Sequence, residues 1–484
     1  MSVFKKLFKQ TFIYGLATVL PRVLAVILVP LYTSVMLPEE YGIYATLMAY
    51  LILGNVLLSY GMETAFFRFI TKDADKQKIV QSTTLTSITV STLIFLGITL
   101  LFTNHIAKVS EFKTEYVTYG LLILALDALV VLPFAWFRVN ERPMRYAVVK
   151  IFNVVINLAF NLFFLLMLPK LAETSDYWNT LWFSENKVAY VFIANLIASA
   201  VTLLVLLPLY VKIGFGFNKI IWKQMMKYAI PVLIAGIAFS VNEAFDRILL
   251  KYLLPENIAE TQVGLYSACY KLGMFMTLFV MAFRLGIEPF FFNHSGHENA
   301  KNTYATITKY FTLFGCLILL VVVVYIDVFK HILIPNSQYW EALKIVPLIL
   351  LANLFLGVYH NLSVWYKVTD RTKYGAYISV FAAVVTLVLN YILIPIIGYM
   401  GSAIATLSAY GSMMVLSYLY GRKYYDVPYQ VKKICGYLLL AIGFSAISFY
   451  AFNGNIWLGT ALLIVFAVIM FYSEKKEFLK IIRK

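Results

Sequence analysis

The chain has 484 residues, of which 61% are hydrophobic and only 13% are charged, with a mean hydropathy of +0.80. Typical soluble domains are about a quarter charged, so this composition excludes a water-soluble fold of this size. The net charge of +16 does not indicate nucleic-acid binding, because no soluble segment is long enough to form a basic binding face and basic loops orient membrane proteins instead.

Long apolar stretches recur from one end of the chain to the other. A helix needs about 20 mostly apolar residues to cross a bilayer, whereas a membrane β-barrel would show short alternating segments. The sequence therefore predicts an all-α integral membrane protein with 14 transmembrane helices. The approximate limits of these spans are 11–36, 42–70, 82–103, 116–137, 147–168, 188–211, 228–253, 264–292, 304–329, 342–366, 374–396, 401–421, 433–452 and 457–473.

The basic residues are distributed unevenly between the two sides of the predicted membrane. With the N-terminus in the cytoplasm, 28 of the 40 Lys and Arg lie on or beside cytoplasmic segments and six lie on outer loops. The positive-inside rule then places both termini in the cytoplasm. The longest outer loop, at about 170–187, is too short for a soluble catalytic domain, so we expect a membrane protein that is not an enzyme.

The chain contains an internal duplication. WFRVNERPMRY at 136–146 resembles WYKVTDRTKY at 365–374, and GMETAFFRF at 61–69 resembles GIEPFFFNH at 286–294. Further matched blocks keep the same order, so spans one to six resemble spans seven to twelve. Two parallel six-helix halves are a transporter architecture, with the binding site between the halves. The predicted division is 1–215 for the N-lobe, 216–430 for the C-lobe, and 431–484 for an additional helix pair and a cytoplasmic tail.

Charged side chains inside the spans are the candidate functional residues, because a charge at membrane depth is costly. Arg22 lies near the middle of span one, which holds no acid to pair with it. In span seven, Glu243, Arg247 and Lys251 are spaced four residues apart on one helix face. Pairing of Glu243 with Arg247 is the structural alternative. The other bases at span depth are Lys271, Arg68 and Arg284, and the other acids are Asp246 and Asp127.

The duplication separates two roles for these charges. Glu63 of the first half matches Glu288 of the second, and this repetition favours a structural role for both. Arg22, Arg247 and Lys251 have uncharged counterparts, so we interpret them as ligand-facing. Cations in an intramembrane cavity favour an anionic ligand, and guanidinium groups match phosphate oxygens in a bidentate way. A diphosphate group would suit them. Arg68 and Arg284 lie near the cytoplasmic span ends and could instead reach the headgroups.

No metal site, disulfide or cofactor is expected. The three cysteines lie in or beside apolar runs and show no CxxC spacing, unlike zinc sites or disulfide frameworks. His294 and His297 can share a helix face, but no further ligand cluster accompanies them.

Two motifs carry a resemblance to a known family. LVPLYTSVMLPEEYGIYATL, followed by GMETAFFRF, resembles the N-terminal signature of the polysaccharide biosynthesis export proteins. LNYILIPIIGYMGSAIATLSAY at 389–410 resembles a second family segment, with Asn390, Pro395, Gly398 and Gly401 in place and Ser402 where Ala is usual. Over essentially the whole chain, the sequence resembles the Wzx-type flippases of the MOP (multidrug/oligosaccharidyl-lipid/polysaccharide) exporter superfamily, which also contains the MATE transporters.

The resemblance implies two six-helix lobes that form a V, with a cationic cavity between them. It implies alternating access that moves a polyprenyl-diphosphate-linked oligosaccharide across the bacterial cytoplasmic membrane, for O-antigen, capsule or exopolysaccharide biosynthesis. Relatives often couple export to Na⁺ or H⁺, and Glu243, Asp246 and Asp127 are the candidates for coupling here. The implied partners are the lipid-linked oligosaccharide and membrane lipid, and a polysaccharide polymerase is a further candidate partner.

Two alternative functions stay open. A drug or cation antiporter of the same superfamily would favour acids over bases in its cavity, whereas these spans are rich in bases. A membrane glycan polymerase or ligase would need a larger outer loop. Among flippases, a carrier of lipid II is a further alternative.

Overall fold

The computed structural model describes residues 26–70, 74–182, 186–294, 298–452 and 454–482. Throughout these residues the regular elements are all helical. Within these ranges, thirteen helical segments are long and apolar enough to cross a membrane, which confirms the predicted all-α membrane fold. They correspond to predicted spans two to fourteen. Span one lies largely outside the described residues, and its described end forms the helix Val26–Val35.

The helices are numbered α1 to α21 in chain order. In the first half they are α1 Val26–Val35, α2 Pro38–Ser59, α3 Met62–Phe69, α4 Ala74–Leu101, α5 Thr103–Ser110, α6 Thr114–Val139, α7 Pro143–Leu162, α8 Leu168–Ala172, α9 Asp176–Asn179 and α10 Lys187–Ile213. In the second half they are α11 Lys219–Leu253, α12 Glu256–Tyr270, α13 Met274–His294, α14 Ala300–Val324, α15 Ile326–Leu333, α16 Val346–Leu362, α17 Val364–Val368, α18 Lys373–Ile397, α19 Tyr399–Tyr424, α20 Val431–Ala446 and α21 Ile456–Ile482.

The seventh span begins well before its predicted limit. Helix α11 begins at Lys219, nine residues before the predicted start at 228. The side chain of Asn218 accepts hydrogen bonds from the main-chain amides of Ile220 and Ile221, so it satisfies amides that a helix start leaves without partners. A polar turn therefore extends the helix beyond its apolar part, which hydropathy alone cannot reveal.

Helix packing divides the chain into two compact units, one ending at Gly264 and one beginning at Leu265. In the first unit, α11 packs along α2 and α3. In the second, α19 packs against α16 and α18. This division does not coincide with the predicted boundary between 215 and 216, because the seventh span packs with the first unit. The lobes 1–215, 216–430 and 431–484 stay predictions, since they are defined by the repeat and not by packing.

Both copies of the repeated stretch form the same turn. Glu141 follows α6 with a φ of 50°, and Asp370 follows α17 with a φ of 54°. The amide of Arg142 donates to the carbonyl of Phe137 at 2.9 Å, and the matching atoms of the second copy are 2.8 Å apart. This hydrogen bond around a left-handed residue is the Schellman motif that ends helices. The stretch is therefore a structural corner present in both halves.

Two short helices also match between the halves. Helix α5 follows the third span and α15 follows the ninth, and each has eight residues. Both are too short to cross a membrane, so hydropathy did not predict them. Their equivalent positions add structural support to the duplication.

Helices α2 and α12 cross closely at Gly42 and Gly264, which begin another matched pair of the duplication, GIY at 42–44 and GLY at 264–266. A Cβ atom at Gly42 would lie 1.8 Å from the main-chain oxygen of Glu260, and one at Gly264 would lie 1.8 Å from that of Pro38. Each glycine therefore approaches the carbonyl four residues before the other. Small residues permit such close approach of membrane helices, and no side chain fits at either position.

We expect Gly42→Ala to destabilise the protein, because main-chain atoms cannot move aside as a flexible side chain can. The cost should be about 1–3 kcal/mol, as for other overpacked sites. Thermal unfolding of the purified protein in detergent measures it. Gly97→Ala in α4 is the matched control, since a Cβ there meets nothing within 4 Å. Equal melting temperatures for the two variants would contradict the close crossing.

Candidate functional site

The candidate charges lie in both compact units. The described candidates of the first unit are Arg68, Asp127, Glu243, Asp246, Arg247 and Lys251, and those of the second are Lys271 and Arg284. Arg22 lies outside the described residues, so its predicted role stays a prediction.

Arg247 pairs with the acid beside it in the sequence. Its guanidinium nitrogen Nη1 lies 3.0 Å from Oδ1 of Asp246 and 3.0 Å from the main-chain oxygen of Glu243. The side chain of Arg247 is 12% exposed and that of Asp246 is 4% exposed. The predicted alternative, a pair between the Glu243 carboxylate and Arg247, is replaced by this contact because the Glu243 side chain is exposed. The result is a nearly buried ion pair that retains a small exposed area.

Lys251 is enclosed and held by several groups. Its ammonium lies 3.3 Å from Oε1 of Glu260, 3.4 Å from the main-chain oxygen of Glu111 and 3.6 Å from the centre of the Phe112 ring. Its side chain is 3% exposed. These contacts join the end of α11 to the start of α12 and to the turn after α5. This environment favours a structural role over the predicted ligand-facing one.

Asp127 lies at the centre of the first unit. Its helix α6 is mostly buried, whereas α4 is not. Ser199 of α10 donates to Oδ1 of Asp127 at 2.8 Å. The side-chain amide of Asn55 in α2 and the ammonium of Lys150 in α7 also lie near this carboxylate and favour its negative charge. Four helices therefore bring a carboxylate, a base, an amide and a hydroxyl together, which is a set of groups able to hold a proton or a small cation.

A polar face of α7 continues from this cluster. Asn153 donates to the hydroxyl of Thr202 at 2.9 Å, and the Tyr32 hydroxyl donates to Oδ1 of Asn161 at 2.9 Å. Sequence reasoning missed this face because it considered charged residues only. The signal was present as polar residues recurring every three or four positions, namely Lys150, Asn153, Asn157 and Asn161.

The remaining candidate bases lie on exposed parts of their helices. The guanidinium of Arg68 lies 5.0 Å from the centre of the Tyr228 ring, which is a cation–π contact. Arg284 borders a small cleft of the second unit together with His360 and Asn361. Lys271 lies in the short 3₁₀ turn between α12 and α13. Among the described candidates, the structure thus brings Asp246 and Arg247 together but does not gather the candidates of either unit into one cluster.

A buried charge cluster in the second unit was also missed. The ammonium of Lys309 in α14 and the carboxylate of Glu474 in α21 are both 0% exposed and form an ion pair. Lys433 and Tyr437 of α20 contact the other carboxylate oxygen at 2.9 and 2.7 Å. The cluster fastens the last two spans to α14. Hydropathy did not reveal it because the partners are 165 residues apart.

Among the residues that the structure describes, no group of three or more His, Cys, Asp or Glu is placed to hold a metal ion. His297 lies outside the described residues, and the side chain of His294 is not described. Cys269, Cys316 and Cys435 are free thiols.

Two family models match the chain. The model described as "Polysaccharide biosynthesis protein" matches residues 7–285, and the MatE model matches residues 231–392. No curated protein sequence matches the chain. The first model covers more than half of the chain and includes the Arg247–Asp246 pair.

Several solved structures share the fold. The lipid II flippase MurJ in an inward closed conformation is 13% identical, with a TM-score of 0.73, and the match covers 96% of this chain and 99% of that one. An inward-facing multidrug resistance MATE transporter of the MOP superfamily is 15% identical, with a TM-score of 0.63 and coverages of 89% and 96%. The MATE multidrug transporter DinF-BH is 15% identical, with a TM-score of 0.62 and coverages of 88% and 97%.

We expect Lys251→Met to lower thermal stability, because Glu260 and the Glu111 carbonyl lose their buried partner. A lost partner of this kind costs about 1–3 kcal/mol. Lys108→Met, an exposed lysine of nearby α5, is the control and should melt like the wild type. A Lys251 variant that melts normally but loses transport would instead place this residue in ligand binding.

Proposed function

Because the chain belongs to the polysaccharide biosynthesis protein family, we propose that it moves a polyprenyl-diphosphate-linked oligosaccharide across the bacterial cytoplasmic membrane. The proposal makes it a Wzx-type flippase that serves O-antigen, capsule or exopolysaccharide biosynthesis and catalyses no covalent chemistry. The family match over residues 7–285 is the observation that carries it. The predicted orientation, with both termini in the cytoplasm, and contact with a polysaccharide polymerase belong to the same proposal.

In this proposal Arg247 binds the diphosphate by exchanging its counter-ion. At rest the guanidinium is neutralised by Asp246, 3.0 Å away, which lowers the cost of a charge at membrane depth. A diphosphate offers two or more charged oxygens in the planar geometry that a guanidinium prefers. Arg247 then turns to the diphosphate, and the Asp246 carboxylate takes up a cation in place of the guanidinium. Because both residues lie on α11, the exchange needs no separation of helices.

This exchange links substrate to ion. A carboxylate that loses its arginine in a nearly dry setting is strongly driven to bind Na⁺ or H⁺. Coupling at Asp246 thus follows from the same contact that holds the substrate. The cluster around Asp127 is the second candidate for coupling, because it is already hydrogen-bonded within the first unit.

Alternating access moves the bound headgroup from one side to the other. The close crossing of α2 and α12 at Gly42 and Gly264 lies at the helix ends that the predicted topology places on the outer side. In our proposal this contact closes the outer side while the cytoplasmic side is open, and it separates when the headgroup is released.

A drug or cation antiporter is the second candidate function. The match of the MatE model to residues 231–392 favours it. Resistance to cationic drugs in cells that overproduce the protein tests this alternative directly. Drug resistance without any dependence of surface polysaccharide on the protein would favour the antiporter.

We expect Arg247→Gln to reduce export of the oligosaccharide at least 10-fold at equal protein level. A charged hydrogen bond contributes about 1.5–3 kcal/mol, which corresponds to roughly 10- to 100-fold. Surface polysaccharide and accumulated lipid-linked precursor are the measurements. Arg145→Gln, at an exposed cytoplasmic position, is the matched control and should export normally. Wild-type export by a double variant Arg22→Ala and Arg247→Ala would rule out the proposed site.

We expect Asp246→Asn to remove the dependence of export on the coupling ion, because the amide cannot take up Na⁺ or H⁺ in place of Arg247. Uptake of a labelled lipid-linked oligosaccharide into proteoliposomes, measured across Na⁺ and pH gradients, provides the test. Asp127→Asn should keep the dependence of the wild type. If Asp127→Asn abolishes it and Asp246→Asn does not, coupling resides in the α6 cluster instead.

A further inference from the structure

The first unit contains a pocket that none of the candidate charged residues lines. Its volume is about 510 Å³, within the usual range for small-molecule sites. It lies between the start of α6, the end of α7, the start of α10 and the segment around α9. The predicted topology places all of these on the outer side. Its principal lining residues are Glu115, Tyr119, Phe163, Phe164, Trp178 and Tyr190.

A local irregularity of α7 shapes one wall of this outer pocket. Residues Phe163–Met167 form a π-helical turn. Such turns are rare in proteins, but those that occur are often at functional sites. The wider turn contributes Phe163 and Phe164 to the lining. The rings of Trp182 and Phe164 lie 5.3 and 5.4 Å from that of Tyr190, in stacked arrangements. These aromatic rings therefore support one another, so the wall is formed before any ligand arrives.

The loop wall is fixed by a hydrogen bond. The hydroxyl of Tyr190 donates to the main-chain oxygen of Leu181 at 2.6 Å, which joins α10 to the loop segment that carries Trp178. Trp178 in turn contacts Phe163 edge to face, with ring centres 6.3 Å apart. The described residues around α9 thus form part of the pocket wall.

Polar groups at the pocket balance in charge. Glu115 is exposed, and its carboxylate makes no hydrogen bond or ion pair with the residues that the structure describes. The ammonium of Lys113 lies 3.4 Å from Oδ1 of Asn186, a residue of the lining. With a carboxylate in the lining and an ammonium bound to another lining residue, the pocket favours a neutral polar ligand over a cation or an anion.

The pocket is also poorly suited to a lipid chain. Trp178, Leu181 and Asn186 belong to the lining but lie between the membrane-crossing segments Pro143–Ala172 and Lys187–Ile213. Part of the wall therefore lies outside the membrane-crossing segments, where water can enter the pocket and an apolar lipid chain would not be fully enclosed. A ligand with both an apolar face and polar edges fits such a site, because the rings pack on the face while the carboxylate accepts hydrogen bonds.

We propose that the outer pocket binds a neutral sugar residue of the transported oligosaccharide. This proposal rests on the proposed function, since it takes the sugar from the headgroup that the flippase delivers. The C–H face of a pyranose ring packs on Trp178 and the neighbouring rings, and its hydroxyl groups donate to Glu115. The pocket thereby holds the glycan on the outer side and disfavours its return through the protein.

Sugar binding can be measured on the purified full chain in lipid nanodiscs. The probe is the lipid-free oligosaccharide released by mild acid from the lipid-linked precursor of the cells that produce the protein. Saturation-transfer NMR should show contact with the sugar ring protons, and Trp178→Ala and Glu115→Gln should each reduce the signal at least five-fold. Trp457→Ala is the matched control, since that tryptophan is 83% exposed, and it should leave the signal unchanged. Thermal unfolding verifies that each variant is folded.

Three results would overturn the proposal. They are an undiminished signal in Trp178→Ala and Glu115→Gln, an equal loss in Trp457→Ala, and Glu115-dependent binding of a cationic rhodamine dye with no sugar signal. Export in cells lacking the gene separates this proposal from the proposed function. If export requires the protein but the saturation-transfer signal does not depend on Trp178, only the proposed sugar site is wrong. If sugar contact depends on Trp178 but export does not need the protein, the flippase function is wrong.

Discussion

Hydrocarbon offers no water to a charged side chain, so each charge at membrane depth must find its partner within the protein. Three described pairs meet this requirement: Arg247 with Asp246, Lys251 with Glu260, and Lys309 with Glu474. Removal of one partner from a buried pair leaves a charge without compensation and is strongly destabilising. The helix arrangement therefore depends on these contacts in addition to apolar packing.

The three pairs differ in what they permit. Lys251 and Lys309 join separate helices and are almost fully enclosed, so an exchange of partner would loosen the fold. Arg247 and Asp246 are neighbours on a single helix, and the arginine keeps 12% of its side chain exposed. Only this last pair can change partners without moving a helix. Within the proposed function, that difference favours Arg247 over Lys251 as the base that binds the diphosphate.

The sequence predicted the spans well because hydrophobic length is a local property of the chain. The similarity of 136–146 to 365–374 was also visible in the sequence, and Glu141 and Asp370 in these stretches adopt the same left-handed conformation. The partners of the charges were harder to predict, since pairing depends on residues distant in sequence. The spacing of charges along α11 does not reveal that Arg247 pairs with Asp246. Likewise, no residue near Lys309 in the sequence indicates that its partner is Glu474. The outer pocket depends on a π turn that hydropathy does not register.

The pair between Lys309 and Glu474 has a consequence for how the protein is made. The carboxylate lies 165 residues after the ammonium in the chain. Ribosomes add about 5–20 residues per second, so about 10–30 s separate the synthesis of the two groups. During that interval the Lys309 ammonium lacks this counter-charge, and its place near the predicted cytoplasmic end of the ninth span lets it reach the headgroups. Helix α21 therefore supplies the buried counter-charge of a helix that was translated long before it.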